Sequence, residues 1–188
     1  MKGLNNLILI FAIIFLNSCI QNSSFSKEEL GFFKPYFKAD TAIYKSLKGQ
    51  LDTVIFTKMT IDTVEVRSIE QGFYNNNILR VSYKLTENSY HKVTVKSINN
   101  EPDDFLSISK AKNSHSSKEI YFLGLLFDEE YFDKIINIIQ TEVIVFDESK
   151  AKYKDANINE GIKSFKFSFT KGILSFVDKN NVEWLRIN

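Results

Sequence analysis

The chain predicts a mainly β protein: an antiparallel meander sheet, curved into a half-barrel or closed into a barrel, with a short N-terminal helix and a candidate helix near 128–139. Three observations predict it. Apolar and polar residues alternate with the period of two that sends successive side chains to opposite faces of a strand, as in Leu79, Val81, Tyr83 and Leu85 against Arg80, Ser82, Lys84 and Thr86. Turn clusters recur at short intervals, among them Lys48-Gly49-Gln50, Glu87-Asn88-Ser89 and Asp178-Lys179-Asn180-Asn181, and about ten strands with short connections favour antiparallel neighbours. The 17 Phe, 8 Tyr and one Trp of the 188 residues supply aromatic side chains for such a sheet to bury.

Residues 1–18 stand outside that pattern. Lys2 precedes an unbroken apolar run from Leu7 to Leu16, which ends in Asn17-Ser18-Cys19. A basic start, an apolar centre and a small or polar end are the parts of a secretion signal. The run is half the length of about 20 residues that a membrane-spanning helix needs. Leu16-Asn17-Ser18-Cys19 resembles the lipobox of bacterial lipoproteins, where Leu and small residues precede a cysteine that receives diacylglycerol before cleavage. Leu16 and Ser18 match that pattern, and Asn17 is larger than usual at its place. The resemblance implies lipid attachment at Cys19 and a division into signal peptide 1–18, lipidated tether 19–25 and a single β-rich domain 26–188.

Cys19 is the only cysteine, so no internal disulfide supports the domain. Removing the signal removes Lys2 and takes the formal charge from +1 to zero. A neutral, evenly mixed chain with no basic stripe excludes nucleic acid as the expected partner. No polybasic run adjoins the anchor.

Ser26-Lys27-Glu28-Glu29 places Ser at a helix N-cap and Glu three residues on, a capping box that opens a short helix ending before Pro35. Lys27, Glu28 and Glu29 also resemble the lysine-plus-two-acids signal that sends some lipoproteins to the cell surface, although that signal normally lies closer to the cysteine. The two readings are compatible.

Strands are expected over Thr41–Leu47 and Leu51–Thr60, joined by a hairpin loop. Asp40-Thr41-Ala42-Ile43-Tyr44 is echoed by Asp52-Thr53-Val54-Ile55-Phe56 and more weakly by Asp62-Thr63-Val64, a local repeat too short for a solenoid. Asn75-Asn76-Asn77 reads as a break. The strand from Leu79 then turns at Glu87-Asn88-Ser89 into a second from Tyr90 to Ile98, and a loop with Pro102 leads into Phe105–Ser109. Lys110–Lys118 is polar and turn-rich. Ile120–Phe127 is apolar on both parities, which predicts one central strand covered on both faces. Its cover is expected from Asp128–Ile139, where Tyr131, Ile135 and Ile139 follow helical spacing behind a capping Asp128. The competing reading is a long strand from Lys134 to Phe146. Phe165, Phe167 and Phe169, the turn at Lys171-Gly172, Ile173–Val177 and Val182–Ile187 with Trp184 form a three-stranded meander. The two Asp-Thr openings and this closing Gly-Ile hairpin resemble those of small uncharacterised lipoproteins from Gram-negative bacteria, a likeness that implies secretion and β content and no activity.

Catalytic and metal-binding patterns are absent from the sequence. Two histidines, His91 and His115, are too few for the usual zinc sites, and no Gly-x-Ser-x-Gly elbow or glycine-rich phosphate loop occurs. Asp128-Glu129-Glu130 with Asp133 reads as a helix start, and Glu101-Pro102-Asp103-Asp104 as a solvated turn. Phe165, Phe167 and Phe169 belong to the core or line a cavity for an apolar ligand. The expectation is a non-enzymatic, outer-membrane-anchored module without a cofactor, held through lipid at Cys19 and facing either the periplasm or the outside. It binds an envelope protein or, in the alternative reading, carries a lipid or another apolar ligand.

Overall fold

Alternation of apolar and polar residues translates directly into strands with one buried face. The computed structural model describes residues 25–68, 72–91, 102–111, 116–136, 143–154 and 161–188. Cys19, the signal segment, most of the expected strand Tyr90–Ile98, Glu101 and His115 lie outside them. The described elements are α1 (Lys27–Phe33), a 3-10 turn (Lys34–Tyr36), β1 (Asp40–Ser46), β2 (Leu51–Phe56), β3 (Thr60–Ser68), β4 (Gly72–Leu85), β5 (Asp103–Ala111), β6 (Ser117–Phe122) and β7 (Leu125–Phe127). They continue with α2 (Glu129–Ile136), β8 (Val143–Asp147), β9 (Tyr153–Lys154), β10 (Ile162–Ser168), β11 (Gly172–Asp178) and β12 (Glu183–Arg186).

The strands form one antiparallel sheet in the order β8-β10-β11-β12-β1-β2-β4-β5-β6-β7-β9, with β3 extending the hairpin onto β4. The chain's last strand lies beside its first, with Ser46 opposite Trp184 and Tyr44 opposite Arg186. The sheet curls into a half-barrel, so rings far apart in the strand order meet inside it. Phe146 of β8 lies 5.1 Å from Phe127 of β7, and Phe122 of β6 lies 5.5 Å from Phe165 of β10. Phe146 and Phe165 stack at 4.5 Å. The expected fold class is borne out, including both helices: α2 forms behind Asp128, whose side chain accepts from Tyr131 N–H, and Lys134–Ile136 are helical rather than part of a long strand.

Four expectations are corrected. Asn75-Asn76-Asn77 lies within β4 rather than breaking the chain, because cross-strand hydroxyls satisfy the amides: Ser109 donates to Asn76 at 2.9 Å and Thr63 to Asn77 at 2.9 Å. Leu51–Thr60 is two strands. Thr57 exchanges bonds with Ser82 through its backbone N–H and its hydroxyl, Met59 N–H turns to the Tyr36 carbonyl, and β3 restarts at Thr60. Ile120–Phe127 is a tight hairpin, not one strand. Leu123 and Gly124 turn it with φ of 44° and 90°, the left-handed geometry that suits the twist of a two-residue hairpin loop. Leu123 N–H donates to the Tyr83 hydroxyl at 3.1 Å. Both parities are apolar because the turn itself is buried, with Leu123 and Leu125 almost inaccessible. The expected strand from Tyr90 also does not begin there, since Tyr90 lies in a turn and His91 in a 3-10 segment.

α1 and the 3-10 turn close one end of the half-barrel. Phe32, Phe33 and Tyr36 are fully buried, and Phe32 meets Phe132 at 4.4 Å and Phe169 at 4.8 Å. Tyr36 lies over Gly172, whose φ is +75°; a Cβ there would meet the Tyr36 hydroxyl and stand 2.9 Å from its Cζ. Gly172→Ala therefore combines left-handed strain with overpacking, and we expect a loss of about 2–4 kcal/mol in urea-induced unfolding.

Candidate functional site

The expected signal residues divide between surface and interior. Lys27 and Glu28 are exposed at the start of α1, and Glu29 is buried. The capping box forms as expected: Ser26 Oγ accepts from Glu29 N–H at 3.2 Å, and Glu29 Oε2 accepts from Ser26 N–H at 2.7 Å. Hydrogen bonds from the helix backbone and from Ser26 hold the Glu28 carboxyl below its usual range. Glu29 does more than cap the helix. It accepts from Lys110 Nζ of β5 at 2.6 Å and faces Lys118 Nζ of β6 at 3.8 Å, and Lys118 in turn pairs with Asp133 of α2. The helix start is thereby pinned to two strands and the second helix. Glu29→Ala removes the reciprocal cap and leaves Lys110 without its buried carboxylate, so we expect a loss of about 2 kcal/mol by urea titration.

At the opposite end the structure builds a polar cluster that the sequence hides. Asp52 opens β2 and His91 follows the turn after β4; both are fully buried. Asp52 Oδ1 accepts from His91 N–H at 3.0 Å, and Oδ2 pairs with the His91 Nδ1. The imidazole lies edge-on to Trp184 at 4.9 Å and to Phe176 at 5.3 Å. The Trp184 Nε1–H donates to Asp178 Oδ2 at 3.1 Å, while Asp178 Oδ1 accepts from Asn180 and Val182 N–H. Ser89 accepts from Thr53 N–H and donates to the Thr53 carbonyl, fastening the 86–91 segment to β2. A carboxylate orienting an imidazole is the geometry of a general base. Here both groups are sealed behind aromatic rings, and the pair locks the 86–91 segment onto β2.

The acidic clusters are committed elsewhere. Asp128 faces Lys152 at 3.3 Å, Glu130 pairs with Lys134 and Glu129 accepts from Ser116, as a charged helix start should. Asp104 accepts from Ser82. Burial, with the neighbouring Asp104 charge, pushes the Asp103 carboxyl up. Among the described residues no group of three His, Cys, Asp or Glu could hold a metal ion.

Phe165 and Phe167 are buried, and Phe169 packs on Phe167 at 5.7 Å. The gap that Phe165 and Phe167 share with Phe32, Phe105 and Phe146 has no room for a water molecule, so in this region the side chains themselves fill the barrel. At the surface, β3 pairs among described strands with β4 alone, and Ile61 and Val64 on it are 57% and 44% exposed. No described helix is long and apolar enough to cross a membrane. Comparison with known protein families, curated proteins and solved structures finds no match to the chain.

Proposed function

We propose that the protein is a lipid-anchored, non-enzymatic interaction module of the bacterial envelope, held at the outer membrane through Cys19 and binding an envelope protein through its surface. The observation that carries this reading is the placement of its chemistry. Asp52, His91, Asp178 and Glu29 are buried in hydrogen bonds that hold elements together, and side chains fill the part of the interior bounded by Phe32, Phe105, Phe146, Phe165 and Phe167. Recognition is left to the outside, where the edge of β3, unpaired among the described strands, offers backbone groups and two exposed aliphatic side chains to an extended segment of a partner.

The test is photo-crosslinking in intact cells from a reactive residue at Val64. One dominant protein adduct is the expected result, and a diffuse ladder equal to that from Leu47 would contradict the reading. Cys19→Ser should abolish both labelling by a fatty-acid analogue and membrane retention; unchanged labelling would remove the anchor.

A further inference from the structure

We propose that the α1-closed end of the half-barrel rests on the bilayer, with Phe37 entering the headgroup region of anionic lipid and a ring of lysines around it. This inference deepens the reading above and rests on the anchor at Cys19.

Five residues, Ile20–Ser24, separate Cys19 from Phe25, so the chain between them spans at most about 20 Å. A domain of this length is about 40 Å across. The end carrying Phe25 is therefore the one the lipid holds near the membrane. Phe25 packs against the core there, under Lys110 Nζ at 5.6 Å.

The segment that covers this end is two-sided. Its inner side is Glu29, Phe32, Phe33 and Tyr36, all buried, whereas Lys27, Lys34, Phe37 and Lys38 are exposed. Phe37 is 48% exposed directly after the 3-10 turn. Two further lysines are brought alongside by contacts of Tyr36. Met59 N–H bonds the Tyr36 carbonyl, which places exposed Lys58 beside the turn, and Gly172 under the Tyr36 ring places exposed Lys171 there.

Acids also reach this surface: Glu28 lies beside Lys27, Asp40 is held by Arg186 at 3.0 Å, and Asp104, next to Asp103, accepts from Ser82 beside Thr57 and faces Arg80 at 3.9 Å. Lys34, Lys38, Lys58 and Lys171 make no ion pair among the described residues. An exposed aromatic ring among uncommitted lysines suits a surface of anionic headgroups, where the ring sits at the interface and the lysine heads reach the phosphates. These lysines are scattered from position 27 to 171, so the patch exists only in the fold.

The experiment uses the full-length protein, purified with its lipid and reconstituted into vesicles of phosphatidylethanolamine and phosphatidylglycerol. An environment-sensitive fluorophore is placed on Phe37→Cys, on Lys38→Cys or on Leu47→Cys. Leu47 is 89% exposed at the β1–β2 turn, about 20 Å away along β1. The expected result is blue-shifted emission at 37 and 38, quenched by a lipid-borne quencher, with 47 unaffected. Pairing Lys34→Glu with Lys58→Glu should reduce that quenching several-fold, as should vesicles of phosphatidylcholine alone. Emission at 37 and 38 as water-like as at 47, in protein whose intact mass carries the lipid, would overturn the orientation and leave the anchor standing. An intact mass without lipid would overturn the anchor, and with it the orientation.

Discussion

Asp52→Ala is expected to lower the free energy of unfolding by about 3–5 kcal/mol, measured by urea titration at neutral pH. The carboxylate is fully buried and serves two donors of one residue, the backbone N–H and the ring of His91. Truncation strands both in a site walled by Trp184 and Phe176. Asp52→Asn keeps an acceptor for the backbone N–H and should cost about half as much. Asp40 occupies the same place in the sequence echo, and its partner is Arg186 at the domain's edge. Both side chains there reach water, so Asp40→Ala should cost under about 1 kcal/mol. Equal losses at positions 40 and 52 would contradict the assignment of the buried lock to Asp52.

Raising the pH above the ordinary tyrosine value of 10.0 is expected to unfold the domain steeply. Burial pushes up the pKa of Tyr36, Tyr44 and Tyr83, with neighbouring groups adding smaller effects. In the folded state all three keep their protons well past the point at which the unfolded chain releases them. The unfolded state then binds fewer protons than the folded one, so stability falls as pH rises. The slope approaches about 1.4 kcal/mol per pH unit for each tyrosine, or about 4 for the three together. Below about pH 9 both states hold these protons and the three contribute no pH dependence. Urea midpoints measured on both sides of pH 10 check this, and a flat profile would mean that these hydroxyls reach water. Tyr44→Phe should lower the alkaline slope by about a third, at the separate cost of the bond its hydroxyl donates to the Ile173 carbonyl at 3.0 Å.

Local chemistry in the sequence determined what was legible. The capping box, the alternating faces of β4 and β10 and the closing meander depend on neighbours within a few residues, and they formed where expected. Asn75-Asn76-Asn77 reads as a break because Asn favours turns; Ser109 and Thr63, which make it a strand, lie far along the chain. Ile120–Phe127 reads as one strand because Leu123 carries no turn signal of its own and Gly124 alone marks the bend.

The Asp-Thr echo is likewise a consequence of pairing. Its two copies face each other in antiparallel register, Tyr44 against Asp52 and Asp40 against Phe56, so the same pattern suits both strands. That one copy should bury its acid against His91 while the other meets Arg186 depends on the path of the 86–91 segment, which no periodicity records. The basic end escapes sequence reading for the same reason, since its lysines share a surface and no run.

Native mass spectrometry of the full-length protein, extracted gently from membranes and then stripped with solvent, is the most direct test of the proposal that a lipid-anchored domain without an interior ligand acts from its surface. The expected mass is that of residues 19–188 with lipid covalently on Cys19, and with no further apolar molecule released by the solvent. An unmodified Cys19, or one equivalent of lipid or another apolar ligand freed from the interior, would contradict it.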